Sequence, residues 1–226
     1  MFVGHFGVGF AGKAAAPRAS LGTLFLAAQC VDLLWPTLLL AGLEKVEVRP
    51  GITRVTPLDF VSYPISHSLL AAFAWGLLFA GVYQLARRYA AGAVTMFAAV
   101  VSHWLLDLLT HRPDLPLWPG GAARVGLGLW DSLPATLVVE LALFAAGVAL
   151  YLRTTKAVDR VGSIALWSLV GLLLAIYAAN LFGPPPPAVG PIAWAGHAQW
   201  LLVAWAYWVD RHRALAGAPA AGAAVR

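Results

Sequence analysis

Cysteine and charge are both scarce in this chain. Cys30 is the only cysteine in 226 residues and lies inside an apolar block, which excludes a disulfide framework and a thiolate zinc site. Any metal would have to be held by His, Asp and Glu. Charged residues make up 11% against 61% for the apolar set, whereas a soluble domain is roughly a quarter charged. Water is therefore not the main solvent of this chain. The fifteen Lys and Arg sit in short loops at helix ends and form no stripe interleaved with aromatics, so no nucleic-acid partner is expected. No Lys or Arg precedes the first apolar stretch, and Lys13 and Arg18 follow it, which is the wrong order for a cleaved signal peptide. The first helix is expected to stay attached. A G-x-S-x-G elbow, an H-E-x-x-H pair and internal repeats are also missing.

What the chain does have is apolar blocks of the length needed to cross a hydrocarbon core of about 30 Å. They run over residues 20–42, 65–87, 92–111, 132–152, 161–182 and 191–210, each bounded by charges, Pro or Gly. The fold class is all-α: a polytopic transmembrane helix bundle of about six spanning helices, or five. A short N-terminal helix over residues 2–16 is interfacial or re-entrant. Pro36 predicts a kink in the first span, and Tyr63-Pro64-Ile65-Ser66 predicts a helix start with Ser66 as cap. Residues 1–213 form one membrane-embedded domain, of which 161–210 contribute two additional helices. Residues 214–226 are expected to be a disordered tail.

Lys13, Arg18, Arg87, Arg88, Arg153, Lys156, Arg160, Arg211, Arg213 and Arg226 fall on one side of these spans. Lys45, Arg49, Arg54, Arg112 and Arg124 fall on the other. The positive-inside rule then puts both termini in the cytoplasm of a bacterial inner membrane, with the lipid bilayer as partner and the loops 43–62 and 112–131 facing outward. Trp104, Trp118, Trp130, Trp194 and Trp208 lie near predicted helix ends, where aromatic belts form.

Ionisable side chains in hydrocarbon are costly unless paired, so intramembrane His, Asp and Glu are functional candidates. His103, Asp107 and His111 are spaced i, i+4, i+8, one per turn on a single helix face, where imidazole and carboxylate can converge on a cation. His67 opens the second helix, Glu140 lies about two turns into the fourth, and Asp32 sits near the middle of the first. Four spans thus bring acid or imidazole groups to comparable depth. A buried ion-pair or hydrogen-bond network is the plain alternative. His5 is a further candidate from the N-terminal segment. Asp59 and Asp131, which flank helices, are expected to be solvated or capping. Ser66, Ser68 and Ser102 lie beside the candidate ligands and are expected to orient imidazoles.

Gly4-His5, Asp32, Ser66-His67-Ser68-Leu69-Leu70 and Ser102-His103-x-x-x-Asp107-x-x-Thr110, in that order, resemble the bacterial inner-membrane metal-dependent hydrolases, also called LexA-binding inner-membrane proteins. The resemblance covers residues 1–152. That family shows P-D-x-D-H and R-G-x-T-H-S elements, where this chain has Val31-Asp32 and Pro64-Ile65-Ser66-His67-Ser68, so an Asp, a His and an Arg are missing and a reduced, mononuclear site is implied. The resemblance also implies phosphoester hydrolysis, through likeness to zinc-dependent phospholipases C and single-strand nucleases that share an HxxxD element.

The function this suggests is a membrane-embedded hydrolase holding a divalent metal, zinc above all, with a phosphoester or lipid-like substrate. Its metal ligands would be His67, His103 and Asp107, joined by His5, Asp32 and His111, with Glu140 or Asp32 as general base. The alternatives are a transporter of metal ions or protons and a membrane assembly protein with a polar intramembrane cluster. The inner halves of the second to fourth spans are nearly free of polar groups, which favours a site over a pathway.

Overall fold

The computed structural model describes residues 1–217. Its helices are α1 (Val3–Ala15), α2 (Leu21–Ala28), α3 (Cys30–Leu40), the single turn α4 (Pro64–His67), α5 (Leu69–Arg87), α6 (Ala90–Thr110), α7 (Leu133–Thr154), α8 (Arg160–Phe182), α9 (Val189–His197) and α10 (Gln199–Arg211). Three antiparallel two-stranded ribbons tie the connections together. These are β1 (Lys45–Val48) with β2 (Leu58–Ser62), β3 (Leu115–Pro116) with β4 (Arg124–Val125), and β5 (Thr155–Ala157) with β6 (Arg213–Leu215). The first two ribbons lie at one end of the bundle, called here the loop end.

Four helices, α5 to α8, are long and apolar enough to cross a membrane, and the pair α2 and α3, bent by 55°, brings the number to five. The sixth predicted span is divided. α9 and α10 break at Ala198, and the 13 residues of α10 rise only about 20 Å. α9 turns aside to pack on α3, where Gly196 lies so close to Pro36 that an added Cβ would stand 2.5 Å from the proline ring. Pro36 itself does not break the first span. The bend falls at Gln29, and Pro36 lies within α3.

Side-chain caps set four of the ten helix starts, because the first backbone amides of a helix lack intrahelical partners. Ser20, Ser68, Ser132 and Asp159 each accept from the amide three residues on. The helix expected from residue 65 therefore begins as the separate turn α4, and Ser68 rather than Ser66 caps α5. Asp131 stays exposed beside the capping Ser132.

α1 is buried along most of its length, between α7, α2 and α6. Small residues permit this approach. A Cβ on Gly7 would come within 2.7 Å of the Leu143 carbonyl, and one on Gly147 would overlap the Gly7 carbonyl. Phe6, Phe10 and Phe25 then interlock edge to face, with centroids 5.0 and 4.9 Å apart. At the far end Lys13 donates to both Asp210 oxygens, at 2.8 and 3.1 Å, joining α1 to α10.

A second core at the loop end contains Trp35, Val46, Tyr63, Trp104 and Leu115. Trp104 and Trp130 are buried there and not arrayed in an exposed belt, while Trp118, Trp194 and Trp208 remain exposed. Asp59, expected to be solvated, is buried and ion-paired with Arg112 and with Arg49 at 2.9 Å. Of the expected C-terminal tail, Ala214 and Leu215 belong to β6, and residues 218–226 lie outside the described ones.

Candidate metal centre

The break at Gln29 has a chemical consequence. Where α2 ends, the Ala28 carbonyl is left for an outside donor, and His103 Nδ1–H donates to it at 2.8 Å. That bond fixes the His103 proton on Nδ1 and turns Nε2 inward. His103 Nε2 lies 3.4 Å from Asp107 Oδ2 and 3.6 Å from Asp32 Oδ1, buried and without a hydrogen bond.

His67 is oriented by a different device with the same result. Glu44 Oε1 accepts from the Ile65 and Ser66 amides, both at 2.8 Å, and its Oε2 accepts the Ser66 hydroxyl at 2.6 Å. Having given its only proton to Glu44, Ser66 Oγ can only accept from His67 Nδ1–H, 2.7 Å away. His67 Nε2 is thereby aimed at Asp32 Oδ1, 3.2 Å away, and lies 3.9 Å from Asp107 Oδ2.

Two imidazole lone pairs and two carboxylate oxygens thus converge, from α3, α4 and α6. Imidazole and carboxylate at this range are held together either by a proton on Nε2 or by a cation between them, and the Met1 ammonium already lies 2.7 Å from Asp107 Oδ1. A tetrahedral ion bound at about 2.0–2.1 Å separates its ligand atoms by about 3.3 Å; Asp32, His67 and His103 each offer a ligand atom within 4.8 Å of the other two, and Asp107 Oδ2 adjoins them 3.4 Å from His103 Nε2 and 3.9 Å from His67 Nε2. The residues present fit a small divalent ion.

His5 stacks flat on His103, with centroids 3.6 Å apart, and its Nε2 meets Asp107 Oδ1 at 3.1 Å. It forms a second possible ligand group with His103 and Asp107. The Met1 amine donates to the same Asp107 oxygen at 2.7 Å. Glu140 is brought close by α7, but its Oε2 accepts the Phe2 and Gly4 amides, at 2.8 and 3.3 Å, capping α1. Its Oε1 takes no hydrogen bond among the described residues.

His111 stands apart from both ligand groups. Its Nδ1 donates to Asp114 Oδ1 at 2.9 Å, an oxygen that also accepts the Tyr63 hydroxyl at 3.0 Å. Burial pushes His111 below the ordinary imidazole value, outweighing the Asp114 hydrogen bond, so the ring is neutral at pH 7. Asp32, His67, Asp107, His111 and Glu140 all line one cavity of about 810 Å3. The cavity continues past Trp35 and Trp130 to Leu172 and Ile176 of α8 and Leu201 of α10, with Arg54 among its loop-end residues.

Sequence reasoning assembled His5, Asp32, His67, His103, Asp107 and Glu140, and the fold brings them together. It missed Glu44 and Asp114, both in loop segments whose sequence shows no periodicity to mark burial. It also took a G-x-G-x-x-G run to be absent, wrongly, since Gly7-Val8-Gly9-Phe10-Ala11-Gly12, followed by Lys13, has the glycine spacing of a nucleotide-binding loop. That run lies wholly inside α1, its glycines meet Leu143, Phe25 and Leu24, and Lys13 is paired with Asp210, so it is a packing face.

Helices of this length and apolarity, with a buried cluster of imidazoles and carboxylates at one end, define an all-α membrane protein. A family model for YdjM inner membrane protein matches residues 56–184, more than half of the chain, and the chain belongs to that family. It is the inner-membrane family that the sequence resembles, and the match extends through α8 while leaving His5 and Asp32 outside. No curated protein and no solved structure matches.

Proposed function

We propose that this protein is a multi-pass inner-membrane hydrolase whose divalent ion, zinc above all, is held by Asp32, His67, His103 and Asp107. The observation that carries the reading is the commitment of both Nδ1 protons elsewhere, to Ala28 and to Ser66, which leaves both Nε2 atoms facing carboxylates, where a metal can take the place of a proton. His5 supports the cluster through Asp107 Oδ1. A divalent ion there supplies Lewis acidity and a water that ionises near neutral pH.

Glu140 Oε1, on the same cavity and without a hydrogen bond, would take the proton of the attacking water. The cavity suits a lipid-like phosphoester, because its polar end lies at the cluster and its far walls include the apolar Leu172, Ile176 and Leu181 of α8 and Leu201 and Leu202 of α10, with Asn180 and Gln199 among them. Arg54 is exposed beside it, a donor for a phosphoryl oxygen. The distribution of Lys and Arg supports placing the C-terminal end of α10 on the cytoplasmic side, with the loop end outward; Met1, bonded to Asp107 at the loop end, then lies at the outward end of α1 and not in the cytoplasm, as the charge pattern alone had implied.

The test is the metal content of detergent-purified protein, measured by mass spectrometry beside His103→Ala and Asp107→Ala. About one ion per chain, lost in both variants together with hydrolysis of phosphoester lipids, is the expected result. Parent protein never exposed to chelator yet free of stoichiometric metal would overturn the reading. Metal uptake into liposomes abolished by Asp107→Ala would move it to transport.

A further inference from the structure

Away from the metal centre, α2, α5 and α10 border a groove of about 710 Å3. Leu26, Trp75, Leu78, Phe79 and Val82 line its length, and Leu78 and Val82 are 56% and 58% exposed. From Arg87 to Trp75 the helix rises about 18 Å, close to the hydrocarbon depth of one leaflet, about 15 Å.

The end nearest the helix termini is polar and positively charged. Ser20 Oγ, Thr23 Oγ1 and the Tyr207 hydroxyl form a hydrogen-bonded chain with links of 2.7 and 2.8 Å. Arg87 and Arg211 line the same end, both exposed and neither in an ion pair among the described residues. The one carboxylate there, Asp210, is already neutralised by Lys13 at 2.8 Å. Two free guanidiniums therefore meet an apolar trough one leaflet deep.

We propose that this groove binds an anionic phospholipid, its phosphate held between Arg87 and Arg211 and one acyl chain lying along Leu26, Leu78, Phe79 and Val82. Guanidinium forks match phosphate oxygens in two-bond geometry, and basic pockets between membrane helices favour anionic headgroups. Hydroxyls of Thr23 and Tyr207 suit the glycerol and ester oxygens. The proposal is independent of the hydrolase reading, since no residue of the metal cluster takes part.

The experiment titrates the purified full chain with phosphatidylglycerol or phosphatidylcholine and reads bound lipid by native mass spectrometry. Parent protein is expected to prefer phosphatidylglycerol by tenfold or more. Arg87→Gln and Arg211→Gln should each lower phosphatidylglycerol binding about fivefold. Arg124→Gln, at the opposite end, should leave it unchanged. Val82→Trp, which fills the trough at an exposed position, should weaken binding with both arginines intact. Equal binding of the two lipids by the parent, no effect of either arginine variant, or full displacement of the lipid by millimolar glycerol phosphate would each overturn the proposal.

Discussion

Glu44 illustrates how much of a site can depend on a residue that never faces it. Its carboxylate is buried at 2% exposure and accepts three hydrogen bonds, the third from Ser66, which in turn fixes the tautomer of His67. Glu44→Gln and Ser66→Ala should each weaken zinc binding about 10- to 100-fold, measured by competition with a chromogenic chelator, because partners that orient a ligating imidazole typically contribute that much. His111 should show a proton on Nδ1 and a bare Nε2 at pH 7 in nitrogen-15 spectra, and become cationic only below the ordinary imidazole range, since burial lowers its value. His103 and Asp107 were legible because i, i+4 spacing places two side chains on one helix face whatever surrounds it. Glu44 was not, because its partners are the amides of α4, 21 and 22 residues away across a hairpin that no local pattern reveals.

Among elements, α1 is the least typical, a 13-residue helix packed inside the bundle. Its fit depends on the absence of side chains at the crossing with α7. Gly147→Val should therefore destabilise the protein by about 3 kcal/mol, at the upper end for overpacking since the obstacle is the Gly7 backbone carbonyl, and thermal unfolding in detergent would register it. The long spans α5 to α8 were legible as uninterrupted apolar runs, which need only length and hydropathy to be recognised. The division of the first and last blocks was not. At Gln29 the broken helix exposes a carbonyl that His103 takes up, and at Ala198 the break lets Gly196 seat against Pro36. Both depend on partners distant in sequence.

For the molecule as a whole, the cluster ties α3, α4 and α6 together through imidazole–carboxylate contacts of 3.2 to 3.9 Å. Removing the proposed ion with a chelator should lower thermal stability, by about 2.7 kcal/mol where free metal had stood at a hundred times the dissociation constant, and adding zinc back should restore it. The same chelation applied to Asp107→Ala should change nothing, which separates the site from adventitious binding. The ligands are also widely spaced along the chain: Asp32 to His67 is 35 residues, and His67 to Asp107 another 40. A ribosome has therefore delivered almost half the protein before the third and fourth donors leave its tunnel, and during that interval Asp32 and His67 lack two of their companions. Metal loading at this centre would follow insertion of α6, making it a late step of biogenesis and a mark of finished chains.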